Sequence, residues 1–270
     1  MTRAALNDRA LVRVTGADWR TFLQGLLTQD VETLQPGELR YGALLTPQGR
    51  LRFDMFLLGE AEGVLIDVSS RKRDELIQAL TLYRLRAKVT ISSADDKVGA
   101  AWGEPPANEG WLPDPRLSAL GWRSYGRASE GGGDYNAHTM NLGVLDPSNT
   151  AEPFYPIEAN LDLLNGIDFK KGCFVGQETT SRMKRRGQIK NRVAPVGFDG
   201  PPPDPGAEVL AGERRAGVVV TALPGRALVL FRIDRAAGAA QLTVADREVR
   251  LHVPEWLATA FAVEAGPLQA

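Results

Sequence analysis

The sequence predicts an α+β protein that carries a small β-barrel at its C-terminal end. In the first hundred residues, segments with strand periodicity and helix periodicity follow one another in mixed order, which disfavours a doubly wound parallel sheet. After a proline- and glycine-rich stretch at 197–206, short β-branched runs punctuated by turns show little helical periodicity. We therefore expect an α+β domain over residues 1–190 and a barrel domain with a tail over 191–270.

Most elements of the α+β domain follow from local patterns. The apolar residues from Trp19 to Leu27 recur at helical spacing, so a helix should run to about Thr28–Asp30. Two apolar runs flank the turn sequence "PQGR", which predicts a β-hairpin. The other expected elements, including the two hairpin strands, are strands at Ala10–Val14, Leu39–Thr46, Leu51–Leu58, Val64–Ser70 and Ala87–Ser93 and a helix at Arg71–Arg84.

Two glycine-rich segments interrupt this pattern. Residues 103–116 are rich in proline and glycine, which is typical of a long loop or a sub-domain junction. The run Gly131–Gly133 lacks the spacing of a phosphate-binding loop, so we expect a flexible linker there, followed by a short helix.

Composition limits the classes of function. The 270 residues carry a formal net charge of −1, so the whole surface does not attract nucleic acid or anionic lipid. One cysteine forms no internal disulfide and builds no multi-thiolate metal site by itself. The N-terminal sequence lacks the apolar core of a signal peptide, and no apolar run approaches the about 20 residues that span a bilayer. These observations predict a soluble protein of a reducing compartment, the cytoplasm.

The stretch "KKGCFVGQE" (170–178) contains this single cysteine. Cys173 is either a small buried core residue, the commonest place for a free cysteine, or a working thiol. Gly172 and Gly176 permit tight backbone geometry, and Lys170 and Lys171 would raise the thiolate fraction if they lie beside the sulfur. On the second interpretation, Cys173 is a nucleophile or a single ligand to a metal shared with a partner.

Three further groups of polar residues are candidates. The cationic run Arg182–Arg186, continuing to Lys190 and Arg192, is either a solvated face or an anion site for a polyglutamate tail, a phosphate or RNA. Asp30 follows the first helix and is by itself no more than a turn residue. Arg52 and Asp54 are two residues apart on a strand, hence on one face, as a surface pair or as the floor of a polar pocket.

Several stretches together resemble the YgfZ family of folate-binding proteins, relatives of the glycine-cleavage T-protein (aminomethyltransferase). The octapeptide "KGCFVGQE" is the most specific match. The other matching stretches, in the family's order, are "LVRVTGADWRTFLQGLLTQDV", "GALLTPQGRLRFDMFLL", "YRLRAKVTI", "DPRLSALGWR", "PIEANLDLLNGIDFKKGCFVGQETTSRMKRRGQIKNR" and "AGVVVTALPGRALVLFR". They cover most of residues 8–235.

The resemblance implies a T-protein-like fold, with two α+β portions around a central folate cavity and a C-terminal β-barrel. It implies binding of tetrahydrofolate or a derivative, and a role in assembling or repairing iron–sulfur enzymes, including those that modify tRNA. By this resemblance Asp30 and Glu158 lie near the pterin and arginines such as Arg182 meet the glutamate carboxylates. The motif residues carried over by position are Lys171, Gly172, Cys173, Gly176, Gln177 and Glu178.

One departure from the T-proteins concerns the acidic pair that follows the glycine of their second hairpin strand. Arg52 and Phe53 stand about where that pair is expected, and Asp54 is the nearest carboxylate. Without a carboxylate at the folate nitrogen, proton handling there would be impaired. The leading hypothesis is therefore a folate-dependent accessory factor whose partners are iron–sulfur client proteins. A true aminomethyltransferase is the second hypothesis, and a tRNA-binding module that uses Arg182–Arg192 is the third.

Overall fold

A computed structural model describes residues 1–107, 110–126, 131–150, 153–187 and 189–264. Within it the chain forms two compact units, residues 1–135 with 164–179, and residues 136–163 with 180–270. The segment 103–116 lies inside the first unit and contributes a strand to one of its sheets. Each unit is assembled from two separate pieces of the chain, so the boundary predicted at 190 stays a prediction.

The first unit contains two antiparallel sheets and two helices. Its strands are β1 (Thr2–Ala5), β2 (Arg9–Thr15), β3 (Leu39–Leu45), β4 (Leu51–Glu60), β5 (Gly63–Ser69), β6 (Thr90–Ala94), β7 (Val98–Trp102), β8 (Trp111–Pro113) and β9 (Trp122–Tyr125). Its helices are α1 (Trp19–Gln24) and α2 (Arg73–Arg84). Sheet order is β3-β4-β5-β2-β6 in the larger sheet and β1-β7-β9-β8 in the smaller. The predicted hairpin is confirmed as β3 and β4.

The larger sheet is covered on both faces. One face packs against α1 and α2, where Leu23, Leu76 and Leu80 are buried with the strand residues Val64 and Ile66. The opposite face meets the smaller sheet through a second apolar cluster whose members come from both sheets: Ala4, Leu6, Leu11, Leu65, Val98 and Ala100. Strand β5 is therefore buried along its whole length, as expected for a strand sandwiched between two layers.

Helix α1 is shorter than its apolar periodicity predicts. It ends at Gln24, although Leu26 and Leu27 continue the apolar spacing and are buried. The reason lies in β3: Leu27 bridges Leu44, and the backbone N–H of Thr28 donates to the carbonyl of Ala43 at 2.9 Å. Pairing with the sheet edge takes the backbone groups that a longer helix would use.

The second unit is dominated by a closed six-stranded barrel in the order β10-β13-β12-β11-β14-β15. Its strands are β10 (Asn191–Phe198), β11 (Glu208–Ala211), β12 (Arg214–Leu223), β13 (Arg226–Arg232), β14 (Leu242–Val244) and β15 (Arg247–Leu251). The remaining helices lie wholly or mostly in this unit. They are α3 (Tyr135–Asn141), α4 (Gln177–Arg186), α5 (Ile233–Ala236) and α6 (Glu255–Glu264). The predicted α+β class and terminal β-barrel are confirmed, and the first barrel strand begins before the proline-rich stretch 197–206 and ends within it.

Candidate functional site

The cysteine loop lies at the N-terminal end of α4. Cys173 is a free cysteine with an exposed side chain, whereas its neighbour Phe174 is buried and Val175 packs against the core of the first unit. The two apolar neighbours anchor the loop while the thiol faces solvent. Of the two interpretations drawn from the sequence, the buried core cysteine is therefore wrong.

The loop is built on the segment that follows α1. The Thr28 hydroxyl donates to the carbonyl of Gly166 at 2.7 Å, and the backbone N–H of Asp168 donates to the carbonyl of Thr28 at 2.9 Å. The Gln29 side-chain amide donates to the carbonyl of Asn165 at 2.7 Å. These bonds join residues more than a hundred positions apart and fix the backbone a few residues before the thiol.

Lys171 adds the last connection between the two segments. Its ammonium donates to the carbonyls of Gln24, Leu27 and Gln29 at 2.8, 2.5 and 2.9 Å. Burial lowers the pKa of Lys171 to about 8, against the attraction of nearby carboxylates of which Asp30 is the strongest. An ammonium has three donors, and all three meet carbonyls at the end of α1 or in the segment just after it. Lys171 is thus a positioning residue in this structure, and its predicted action on the thiol stays a prediction.

The two glycines of the motif have different local roles. Gly176 has φ +78°, and a Cβ built there would stand 2.6 Å from the carbonyl oxygen of Thr46 in the β3–β4 turn. Around Gly172 the described residues, apart from its two chain neighbours, place no heavy atom within 4 Å of such a Cβ. The fold therefore requires glycine at position 176, where the loop packs against the hairpin, and leaves open space at 172 beside the cysteine.

Asp30 is held by its own neighbours. Its Oδ1 accepts from the Gln24 amide at 2.7 Å and its Oδ2 accepts from the Thr33 hydroxyl and from Arg40. The backbone N–H groups of Glu32 and Thr33 also donate to it, each at 3.3 Å. Burial raises the pKa of Asp30, but the hydrogen bonds from Thr33 and Gln24 outweigh burial and lower it to about 2. These donors occupy both carboxylate oxygens, so Asp30 organises the loop rather than presenting a vacant acceptor.

Glu158 belongs to the second unit and is buried there, 8% exposed. Its Oε2 accepts from the backbone N–H of Tyr155 at 3.0 Å, and its Oε1 accepts from the Asn191 amide at 3.0 Å. Each oxygen accepts one of these bonds, which leaves acceptor capacity for a further donor.

A β-bulge separates Arg52 from Asp54. The register between β3 and β4 shifts between Leu44 and Leu45, so that Arg52 is the extra residue of β4. Arg52 pairs with Glu75 at 3.4 Å and is about a third exposed. Asp54 is 5% exposed and accepts from the Tyr41 hydroxyl at 3.1 Å. The expectation that both side chains share one face is wrong, because alternation along the strand breaks at the bulge.

Helix α4 carries the remaining motif residues. Gln177 and Glu178 lie in its first turn, where the helix dipole stabilises a carboxylate. Arg182 follows one turn later and is exposed. The predicted cationic run is less continuous than the sequence indicates. Arg192 is 2% exposed and binds Asp162 at 2.9 Å, with Lys184 at 3.8 Å from the same carboxylate. The side chain of Arg186 lies outside the described residues.

Comparison with known proteins places these features in a family. Residues 190–259 match the family model of the CAF17 C-terminal β-barrel domain. The chain is 34% identical over 261 residues to the human "Iron-sulfur cluster assembly factor IBA57, mitochondrial", with 78% of this chain and 73% of that protein covered. The mouse protein of the same name is 30% identical over 304 residues, covering 94% and 85%. The chain belongs to the IBA57 family.

Two further comparisons concern the length of an IBA57 relative and the fold. The IBA57 homologue of Mycosarcoma maydis is 32% identical over 230 residues, with 72% of this chain but only 57% of that longer protein covered. Among solved structures, glycine cleavage system aminomethyltransferase T from Bartonella henselae matches with a TM-score of 0.71 at 13% identity, over 93% of this chain and 84% of that one. The T-protein-like fold expected from the sequence is confirmed.

The IBA57 relatives also correct the expectation about location. Their names place them in mitochondria, so the predicted cytoplasmic location is wrong by this comparison. Their names describe iron–sulfur cluster assembly factors, in agreement with the coarser part of the family prediction. The YgfZ branch itself stays a prediction. Within the described residues no helix is long and apolar enough to cross a bilayer.

The sequence interpretation missed a buried charge network between the two sheets of the first unit. Asp67 on β5 is fully buried and accepts from Arg9 and Arg123, each at 2.6 Å. Arg116 pairs with Asp114 at 2.8 Å. Burial raises the pKa of Asp67, but the two arginines outweigh it and hold that pKa below its ordinary value. An aspartate inside the apolar run "VLIDVSS" was the available signal.

Proposed function

We propose that this member of the IBA57 family is a tetrahydrofolate-binding accessory protein for assembling or repairing iron–sulfur enzymes, including those that modify tRNA. The names of its relatives support the iron–sulfur part. The observation that carries the proposal is an exposed thiol on a loop that hydrogen bonds fix to the end of α1. Building the loop in this way keeps the only cysteine accessible in a defined place.

In this proposal Cys173 is a transient ligand to an iron–sulfur cluster carried by a partner. The thiol loses its proton to water, the sulfur bonds to one iron, and that iron releases one previous ligand, so no oxidant or reductant is needed. Within the described residues no group of three or more His, Cys, Asp or Glu side chains could hold a metal ion. One thiolate supplies one coordination position, so the partner supplies the others. Attack by the thiolate on an electrophile is the alternative mode.

The candidate residues for contact with folate differ in how well their surroundings suit a pterin ring. A pterin presents N–H donors and a flat ring, which suits a buried carboxylate beside aromatic rings. Asp54 meets this description, since it accepts from Tyr41, whose ring lies 5.0 Å from that of Phe56. Asp30, in contrast, is already saturated. The predicted contacts of folate with Glu158 and Arg182, which belong to the second unit, stay predictions.

Complementation in cells tests the role of the thiol. Cells that lack the gene receive wild-type, Cys173→Ala or Gly172→Ala protein, and the activity of iron–sulfur enzymes is assayed at matched protein levels. Wild-type and Gly172→Ala should restore activity, because position 172 has open space around it. Cys173→Ala should not restore it. Full rescue by Cys173→Ala would remove the thiol from the mechanism.

Calorimetric titration tests the folate part separately. Tetrahydrofolate is titrated into the purified protein and into an Asp54→Asn variant whose folding is checked by thermal unfolding. We expect saturable binding to wild type and an affinity lower by about 10-fold or more when this buried acceptor is changed. Absence of heat with wild type would contradict folate binding and leave the iron–sulfur role to the complementation experiment.

Aminomethyl transfer is the second candidate, because the fold is shared with an aminomethyltransferase. Arg52 and Phe53 stand about where the acidic pair is expected, and Asp54 is engaged by Tyr41. The assay supplies an aminomethylated lipoyl carrier protein and tetrahydrofolate and measures methylenetetrahydrofolate. Turnover would favour the transferase, and no turnover is expected.

A further inference from the structure

An exposed apolar surface lies at the C-terminal end of α2. We define the α2 surface by a shallow groove of about 520 Å³ lined by Ile77, Gln78, Thr81, Leu82, Arg84 and Leu85. Leu82 and Leu85 are 76% and 88% exposed, the two most exposed large apolar side chains among the described residues. Two neighbouring leucines on a solvent-exposed surface are typical of sites that contact other molecules.

The backbone holds Leu85 outward at a cost to the folded chain. Leu85 has φ +46° and ψ −106°, and the carbonyl of Arg84 accepts from the N–H of Ala87 at 2.8 Å. These values match the first central position of a type II′ turn, which glycine ordinarily occupies. The leucine side chain therefore strains the turn without being buried by it, so its packing contributes nothing to the stability of the chain alone.

Cationic residues lie at the C-terminal end of α2 and directly after it. Arg84, Arg86 and Lys88 are exposed, and none of them forms an ion pair with the part of the chain that the structure describes. Asp18 accepts from the backbone N–H of Lys88 at 2.7 Å. The surface thus combines two leucines with three cations that have no carboxylate partner, which is complementary to an acidic segment with an apolar face.

We propose that the α2 surface binds an acidic amphipathic helical segment of a partner protein, with apolar side chains on Leu82 and Leu85 and carboxylates on Arg84 and Arg86. The groove is shallow and follows α2 from Ile77 to Leu85, a line of contact that suits one amphipathic helix. A second copy of this chain is disfavoured, since a two-fold contact would bring the same cations together. This proposal does not depend on the action of Cys173 or on folate.

The position of the surface relates it to the cysteine loop within the first unit. Lys88 is hydrogen bonded to Asp18 just before α1, and Lys171 is hydrogen bonded to the carbonyls at the other end of α1. The six residues of α1 span about 9 Å. The segments that carry the two features are therefore attached to opposite ends of one short helix.

Binding of two defined peptides tests the proposal. Both are fluorescein-labelled 18-residue helices with the same leucine face, one with glutamate and one with lysine on the polar face. Anisotropy should show saturable binding of the glutamate peptide, weakening with salt, and no saturable binding of the lysine peptide. Leu82→Ser should weaken binding by about 10-fold, because one leucine is no longer buried. Arg84→Glu with Arg86→Glu should abolish saturable binding of the glutamate peptide, because its carboxylates would then face like charges.

Leu85→Gly separates docking from folding. Glycine relaxes the positive φ, so the midpoint of thermal unfolding should stay or rise while the peptide affinity falls by about 10-fold. Phe169→Ser, at an exposed apolar residue outside the surface, is the control and should bind like wild type. Equal affinity for both peptides, unchanged binding by Leu85→Gly, or binding to vesicles of phosphatidylcholine and phosphatidylserine without peptide binding would overturn the proposal. Sedimentation that shows a dimer abolished by Leu82→Ser would overturn it as well.

Discussion

Replacing Asp30 by asparagine tests whether this carboxylate organises the loop after α1. The change keeps the size of the side chain and removes the charge that accepts from Gln24, Thr33 and Arg40. Lowering the pKa from its ordinary value of 3.8 to about 2 corresponds to about 2–3 kcal/mol. Because solvent reaches part of the loop, we expect Asp30→Asn to lower the free energy of unfolding by about 1–2 kcal/mol at pH 7.

The direction of this pKa shift determines how the stability difference between wild type and Asp30→Asn changes with pH. A carboxyl group whose pKa is lower in the folded than in the unfolded state stabilises the protein at pH values above its unfolded-state pKa. This stabilisation is lost as the pH falls toward the folded-state pKa of about 2. The difference between wild type and Asp30→Asn should therefore be nearly constant from pH 7 to 5 and fall to about half at pH 3.

Urea unfolding at pH 7, 5 and 3 measures this difference, with Glu62→Gln, an exposed turn residue, as the control. A stability of Asp30→Asn equal to wild type, together with lost tetrahydrofolate binding, would refute the structural role of Asp30 and restore its interpretation as a pterin ligand. A difference that does not change between pH 7 and pH 3 would also contradict the reasoning.

Three further changes follow from the same structure and are measured by urea unfolding. Lys171→Met should cost about 1–3 kcal/mol, since three carbonyls lose their donor; a cost below about 0.5 kcal/mol would contradict its positioning role. Gly176→Ala should cost at least about 1 kcal/mol, because its Cβ would meet the hairpin backbone at φ +78°, while Gly172→Ala, the matched control, should stay within about 0.5 kcal/mol; equal effects would contradict the packing. Asp67→Asn should cost about 3–5 kcal/mol by leaving Arg9 and Arg123 buried without their carboxylate, and an unchanged midpoint would contradict the network.

Much of the fold follows from local pattern. The β3–β4 hairpin and helix α2 agree with expectation to within a few residues, because their apolar periodicity coincides with the faces that they bury. Helix α1 does not, since its last apolar residues, Leu26 and Leu27, are buried in the first unit after its backbone has joined β3. Competition between a helix end and a sheet edge depends on residues that are distant in sequence.

The candidate site was less predictable. Single-sequence reasoning selected Cys173 as a candidate, and its side chain is exposed, but it could not show that Lys171 would face carbonyls more than a hundred residues away. The bulge that separates Arg52 from Asp54 has no signal in the apolar alternation of β4. The charge network around Asp67 needs two sheets to meet, which no local pattern specifies.

The rate at which the folded protein reacts with a thiol reagent tests the central claim most directly, namely that its one cysteine is held accessible. Ellman's reagent is added to native protein and to protein unfolded in urea, and the release of thionitrobenzoate is followed. We expect one equivalent to react in the native state at a rate within about 10-fold of the unfolded rate, because Cys173 is exposed. Protection by several orders of magnitude would show that the thiol is buried and would contradict the account.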